Sequence, residues 1–299
     1  MTISASPRRA PKTRPRELED HLNLHFYHPL AARLAQLLVP TGITPNMVSV
    51  TGMLLIWGAA WSYTALAWPV SAILGFALHL IWHVTDGADG DLARLTGKSS
   101  PTGELVDGVC DYAGHIILYI ALAAMLDDSI GWWSWLWASL AGASHIAQTN
   151  HAETQRRHYL WWVYGVPWLK QAGAANDVVF RRQSWFGATF GWIVRGYLRL
   201  ANEMTPWSGR IDRVLEESSP ECVAKFRDVT RAASARSLAF QKLVGPNPRT
   251  IILGVSMLLG SPLYYFLAEC VLLNLILVAS VVHHNRVGRK LAGELAECG

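Results

Sequence analysis

Residues 47–67 form an apolar run that contains no Asp, Glu, Lys or Arg. A helix needs about 20 such residues to cross the hydrocarbon core of a bilayer. Within lipid, every backbone N–H and C=O must find its partner inside the segment or its bundle, which leaves helices and closed barrels as solutions. Further apolar segments cover residues 70–84, 107–126 and 132–147, and a pair, 251–268 and 270–282, flanks Glu269. The sequence therefore predicts an all-α fold: a polytopic six-helix transmembrane bundle. Composition agrees, with 51% hydrophobic and only 16% charged residues, against about 25% charged in a soluble domain.

Charge placement orients the spans. The turn at 67–69 is uncharged, that at 127–131 is acidic, and the last holds only Glu269. The opposite side carries Arg8, Arg9, Lys12, Arg14, Arg16, Arg94, Lys98, a long basic insert, and Arg286, Arg289 and Lys290. The positive-inside rule then places both termini in the cytoplasm, with the polar ends of the second and third spans. The expected location is a bacterial inner or plasma membrane. A formal charge of +4 gives no reason to expect nucleic acid. Four cysteines without CxxC or paired spacing argue against a disulfide framework or a zinc site.

Four regions follow. Residues 1–28 read as a disordered basic tail and lead-in rather than a signal peptide. Residues 29–149 hold an N-terminal interfacial helix, with Leu30, Leu34, Leu37 and Leu38 at helical spacing, and the first four spans. Residues 150–249 form a long cytoplasmic insert with six Trp and 15 Lys and Arg against 8 Asp and Glu. Within it Phe186, Phe190, Ile193, Tyr197 and Leu200 make one apolar stripe, so the insert reads either as an interfacial helix or as an appendage packed on the bundle. Residues 250–299 hold the last two spans and a cytoplasmic tail.

The chemistry concentrates in residues 85–115. Asp86 and Asp89 are three apart and Asp107 and Asp111 four apart, so on helices each pair shares a face. Two such helices side by side would converge four carboxylates at the membrane boundary. Close anions repel, and either protonation or bound cations must offset this. Ligands that are all oxygen favour hard ions, Mg²⁺ or Mn²⁺, over zinc. Such ions could grip a diphosphate and stabilise a leaving oxygen. Gly90, Ala93 and Gly103 lack bulk and admit a flat base or a close backbone. Ser99, Ser100 and Pro101 break the helix between the Asp pairs.

This stretch fits D-x2-D-G-x2-A-R-x8-G-x3-D-x3-D, with Asp86, Asp89, Gly90, Ala93, Arg94, Gly103, Asp107 and Asp111 at the eight fixed positions. It resembles the signature of the CDP-alcohol phosphatidyltransferase family. The run Thr44-Pro45-Asn46 is similar to that family's lead-in to its first span. The resemblance implies that Asp86, Asp89 and Asp107 hold Mg²⁺ or Mn²⁺, and that Asp111 is the general base and shares in the metal site. It also implies that Gly90, Ala93 and Gly103, with Asn46, line the CDP moiety and that Arg94 orients a phosphate or carboxylate. The expected partners are a CDP-linked alcohol, a hydroxyl acceptor (a polyol, an amino alcohol or a lipid alcohol) and membrane lipids. A homodimer is left open.

Two donors fit the family: CDP-diacylglycerol, or a CDP-linked head group with diacylglycerol or another lipid alcohol accepting. The run from Ser99 to Leu105 resembles the aminoalcohol branch, which usually has His after the third Asp, where this chain has Gly108. CDP-diacylglycerol is therefore preferred. A membrane transporter and a non-catalytic scaffold stand as alternatives of another class, but a transporter would want its carboxylates near the bilayer midplane and loss of a signature Asp would have favoured a scaffold, so both are disfavoured. His79, His83 and His115 are candidate liners of an acceptor pocket. His145, Gln148, Asn150, His151, His283, His284 and Asn285 read as interface anchors, and Arg156, Arg157 and Arg249 as snorkelling helix-end charges.

Overall fold

The computed structural model describes residues 15–166 and 185–296, with side chains apart from those of 101, 185–194 and 296. The described residues are helical, with no strand. The helices are α1 (His28–Leu38), α2 (Pro45–Ala65), α3 (Val70–Leu95), α4 (Pro101–Ile130), α5 (Trp133–Tyr164), α6 (Trp185–Met204), α7 (Ser208–Glu217), α8 (Pro220–Ala233), α9 (Ala235–Leu243), α10 (Pro246–Leu258), α11 (Leu263–Leu267) and α12 (Leu273–Ala296). A π-helical turn, Ala268–Leu272, joins α11 to α12.

Three helices among the described residues are long and apolar enough to cross a membrane: Val70–Leu95, Thr102–Ile130 and Leu263–Leu295. The other three expected spans differ for separate reasons. α2 has 21 residues, but hydroxyl side chains dilute its apolarity; Thr51, Ser62 and Thr64 donate to carbonyls one turn back. α5 has 32 residues and turns polar at Gln148. α10 has 13 residues, about 20 Å of helix, short of the roughly 30 Å hydrocarbon core.

The fifth and sixth expected spans need a corrected boundary. The chain turns at Gly260, whose φ of +86° suits glycine, and a helix starts again after Pro262. Glu269 is therefore not in the turn. It lies inside the helix, fully buried, because Arg249 Nε stands 3.1 Å and His145 Nδ1 3.6 Å from its carboxylate.

The chain divides into two compact units. The first comprises Glu19–His145 and Pro246–Leu272. Its core brings together Ile56, Ala59, Ala60 and Tyr63 of α2, Leu118, Leu122 and Leu126 of α4, and Leu253, Tyr265 and Phe266. Gly114 lets α2 come close, since a Cβ there would meet Ile56 at 3.1 Å. α1 packs through Ala31 and Ala35 against Val48, Ala88 and Leu92, while Leu37 is exposed. The helix forms where expected, but its small residues, not its leucines, make the tightest contacts. A Cβ on Gly87 would stand 3.0 Å from Ala31.

The second unit comprises Met1–Leu18, Ile146–Gly245 and Leu273–Gly299. Trp162, Ile211, Phe226, Leu291, Ala292 and Leu295 form its main core. In a second cluster Leu18 packs with Tyr159, Val163 and Leu238. Most of the groups read as interface anchors here are instead internal partners. Gln148 donates to Asn274, Asn150 to the Tyr197 carbonyl, and His151 pairs with Ser280. His284 is buried and stacks on Trp162, and Asn285 bonds the Met204 carbonyl. Arg156 and Arg157 grip Glu153 rather than snorkel. Cys222 is disulfide-bonded, a pairing that sequence spacing does not reveal, whereas the Cys270 thiol faces the Trp137 carbonyl. Phe186, Phe190 and Ile193 lie on α6, and their side chains fall outside the described residues.

Candidate active site

Three helix segments build the site. α2 opens on Thr44, whose hydroxyl accepts from Met47 N–H, followed by Pro45 at the first helical position. α4 opens in the same way, with the Ser100 hydroxyl accepting from Gly103 N–H at 3.0 Å. Between them, the cytoplasm-directed half of α3 in the sequence reading carries Asp86 and Asp89. The predicted break at Ser99–Pro101 is thus a capped helix start that aims Asp107 and Asp111 from α4 at the α3 pair.

Carboxylate oxygens of Asp86, Asp107 and Asp111 all lie within 4.8 Å of one another. Asp89 is buried beside them; it is in hydrogen-bonding contact with Asp107, and Ser49 donates to its Oδ2 at 2.6 Å. At the 4.8 Å limit of the trio two unit charges repel by about 3.5 kcal/mol, taking an effective dielectric constant near 20. Two oxygens on one Mg²⁺ can be no more than about 4.2 Å apart, so small side-chain rotations would let the trio share an ion. A set made only of carboxylates matches a hard divalent cation.

Of the expected nucleotide-lining residues, two are neighbours across helices. Asn46 Oδ1 comes within 3.8 Å of where a Gly103 side chain would begin, so Asn46 and Gly103 share one wall. Gly90 and Ala93 follow Asp89 on α3, both half-buried. Arg94 is exposed and ion-paired with Asp91, so any phosphate it orients must compete with that carboxylate.

Two groups that the sequence reading passed over hold the aspartates. Ser49 lies one turn after Asn46 and fixes Asp89. The Trp82 indole, four residues before Asp86, hydrogen-bonds the Asp111 carboxylate. Both spacings were visible in the sequence, but a serine and a tryptophan in an apolar helix carry no chemical mark.

Four aspartates gathered from two adjoining helices form a cluster of oxygen ligands suited to a hard divalent cation. Residues 42–163 match the model of the CDP-alcohol phosphatidyltransferase family, a family of transferases of substituted phosphate groups. The match begins just before α2, includes all four aspartates, and ends in α5. No curated protein matches the chain.

Proposed function

We propose that the protein is a metal-dependent phosphatidyltransferase that takes CDP-diacylglycerol as donor and releases CMP. The observation that supports this most is the convergence of Asp86, Asp107 and Asp111 oxygens within 4.8 Å, with Asp89 tied to Asp107. These four carboxylates would hold Mg²⁺ or Mn²⁺. When bound, such an ion neutralises diphosphate charge and stabilises the departing phosphate oxygen. Gly90, Ala93, Gly103 and Asn46 would receive the cytidine nucleotide, and Arg94 a phosphate. Asp111 would accept the acceptor's hydroxyl proton. The acceptor oxygen then bonds to the phosphorus that bears diacylglycerol; the bond from that phosphorus to the bridging oxygen breaks, and CMP leaves with the electron pair.

The same reading places α2 and the three long apolar helices in a bacterial inner membrane. Met47, Val50, Leu54, Trp57 and Trp61 are all exposed on α2, and their spacing of three and four residues makes a stripe suited to lipid. With α5 and α10 this gives six spans, cytoplasmic termini and a cytoplasmic active site. α1 would lie in the interface. The deciding experiment incubates the purified full chain, in lipid nanodiscs with Mn²⁺, with CDP-diacylglycerol or with CDP-linked head groups plus diacylglycerol. CMP and lipid products are read by mass spectrometry. Product from the CDP-head-group arm alone would reverse the donor assignment.

A further inference from the structure

Beyond the aspartates, the first unit gathers four imidazoles: His83 and His115 stand one turn from Asp86 and Asp111, His79 two turns from Asp86, and His145 comes from α5. Ring centroids of His79 and His83 are 6.0 Å apart, those of His79 and His115 6.0 Å, and those of His115 and His145 5.5 Å. Trp82 packs on His79, His83 and His115 while its indole reaches Asp111. His79, His83 and His115 are thus one side chain away from the Asp111 carboxylate, with His145 packed behind His115.

Three of the four imidazoles have partners. His83 Nε2 pairs with Thr250 Oγ1 at 2.8 Å. His115 Nδ1 donates to the Asp111 carbonyl at 2.8 Å. His145 Nδ1 meets the Tyr119 hydroxyl at 3.2 Å and Glu269 at 3.6 Å. His79 differs. It is 3% exposed, and both its ring nitrogens are buried without a hydrogen-bond partner among the described residues. Buried polar groups are almost always paired, so an orphan of this kind points to a water, an ion or a ligand.

An ion fits poorly. Among the described residues, the one group of three or more His, Cys, Asp or Glu close enough to share a metal is the Asp86–Asp107–Asp111 trio. The charged groups facing the imidazoles are Asp111 on one side and Glu269 on the other, and Glu269 is matched by Arg249. What remains is imidazole, indole and phenol, each an uncharged hydrogen-bonding group. A neutral imidazole offers one donor and one acceptor, as a hydroxyl does.

We propose that His79, His83, His115 and His145 form the acceptor site of the transfer, and that it takes an uncharged alcohol whose hydroxyl groups satisfy His79. The proposal rests on the transferase reading above. A phosphorylated acceptor would need a cation, and Arg249 is already engaged by Glu269; an ammonium would need a carboxylate beyond those in use. The alcohol can be a water-soluble polyol or a lipid alcohol, and the test separates the two.

The full chain in nanodiscs is heated with glycerol, inositol or diacylglycerol, and with serine, ethanolamine or glycerol phosphate. Wild type is compared with His79→Phe and His79→Gln. An uncharged alcohol is expected to raise the wild-type unfolding temperature and not that of His79→Phe, because a ligand that binds only the folded state stabilises it. In CMP-release assays His79→Phe should raise the acceptor KM by about tenfold, the equivalent of a lost hydrogen bond, with the donor KM unchanged; His79→Gln should restore part of the difference. Should His79→Phe fail to fold, His79→Leu, which also lacks a hydrogen-bonding group, carries the same comparison. A shift with a polyol or with diacylglycerol identifies the source. An unaltered acceptor KM in a folded variant, or a response to charged acceptors alone, overturns the site. If an alcohol shifts the melting temperature but no donor yields CMP, the transferase reading fails while the alcohol pocket stands.

Discussion

Ser49 on α2 donates a 2.6 Å hydrogen bond to Asp89 on α3, and both residues are buried. The bond occupies one oxygen of Asp89 and orients the carboxylate beside Asp107. Groups that orient a metal's ligands typically affect affinity by 10- to 100-fold. Ser49→Ala should therefore raise the Mn²⁺ concentration needed for half-maximal CMP release by about tenfold. Titration of Mn²⁺ against both CMP release and thermal unfolding checks it; an unchanged titration would remove Ser49 from the site.

Removal of divalent ions has a readout apart from turnover. Asp86, Asp107 and Asp111 repel one another, and a cation bound to them stabilises the folded state. EDTA should stop CMP release and lower the unfolding temperature. Mg²⁺ or Mn²⁺ should restore both. A melting temperature that ignores EDTA and Mn²⁺ would count against a metal held by these residues.

Asp111 has the general-base assignment, and Trp82 holds its carboxylate. Asp111→Asn keeps the shape and removes the proton acceptor. Turnover should fall by about 10²- to 10⁴-fold, the usual contribution of a positioned base, with the unfolding temperature in EDTA close to that of wild type in EDTA. Near-normal CMP release from this variant would reassign the base.

Arg249 and Glu269 form a buried ion pair, with side-chain exposures of 5% and 0%. Taking one partner away leaves a buried charge without compensation, at about 3–5 kcal/mol. Arg249→Met should therefore lower the unfolding temperature sharply. Arg249→Met with Glu269→Gln should recover much of the loss, since an uncharged pair needs no counter-ion. A double variant as unstable as the single one would show that packing, not charge, decides the effect.

What could be read from sequence depended on the range of the interaction. Asp86 with Asp89 and Asp107 with Asp111 are local pairs, so helical spacing alone placed them on one face. The Ser100–Pro101 break was equally local. The packing of α1 was only half legible: Leu34 and Leu38 marked the helix and do pack, but the fully buried contact is made by Ala31 and Ala35, because a close helix approach wants small side chains. Glu269 was misplaced because its partners, Arg249 and His145, are distant in the chain, and a lone acid between two apolar runs resembles a turn. Gln148, Asn150 and His151 misled for the same reason. Their partners Asn274, Tyr197 and Ser280 are far along the sequence, so the residues looked like a polar helix end.

Glu17 gives a pH-dependent attachment of the chain's beginning within the second unit. It sits in a short 3₁₀ turn, Arg16–Leu18. Its Oε1 accepts from the Tyr159 hydroxyl at 3.2 Å and from the Tyr164 hydroxyl. Partial burial pushes this carboxyl's pKa up, but the Tyr164 and Tyr159 hydroxyls, with the Arg231 guanidinium nearby, outweigh it and hold the pKa below its ordinary value of 4.5. A carboxylate whose pKa is lowered by folding stabilises the fold above its unfolded value, and that contribution is lost as pH falls through the lower folded value. Glu17→Gln should therefore lower the unfolding temperature at neutral pH, and the gap to wild type should close as pH falls below about 4. Melting curves of the two proteins across that range are the check; a gap that persists undiminished in acid would mean that the carboxylate's charge does not carry the attachment.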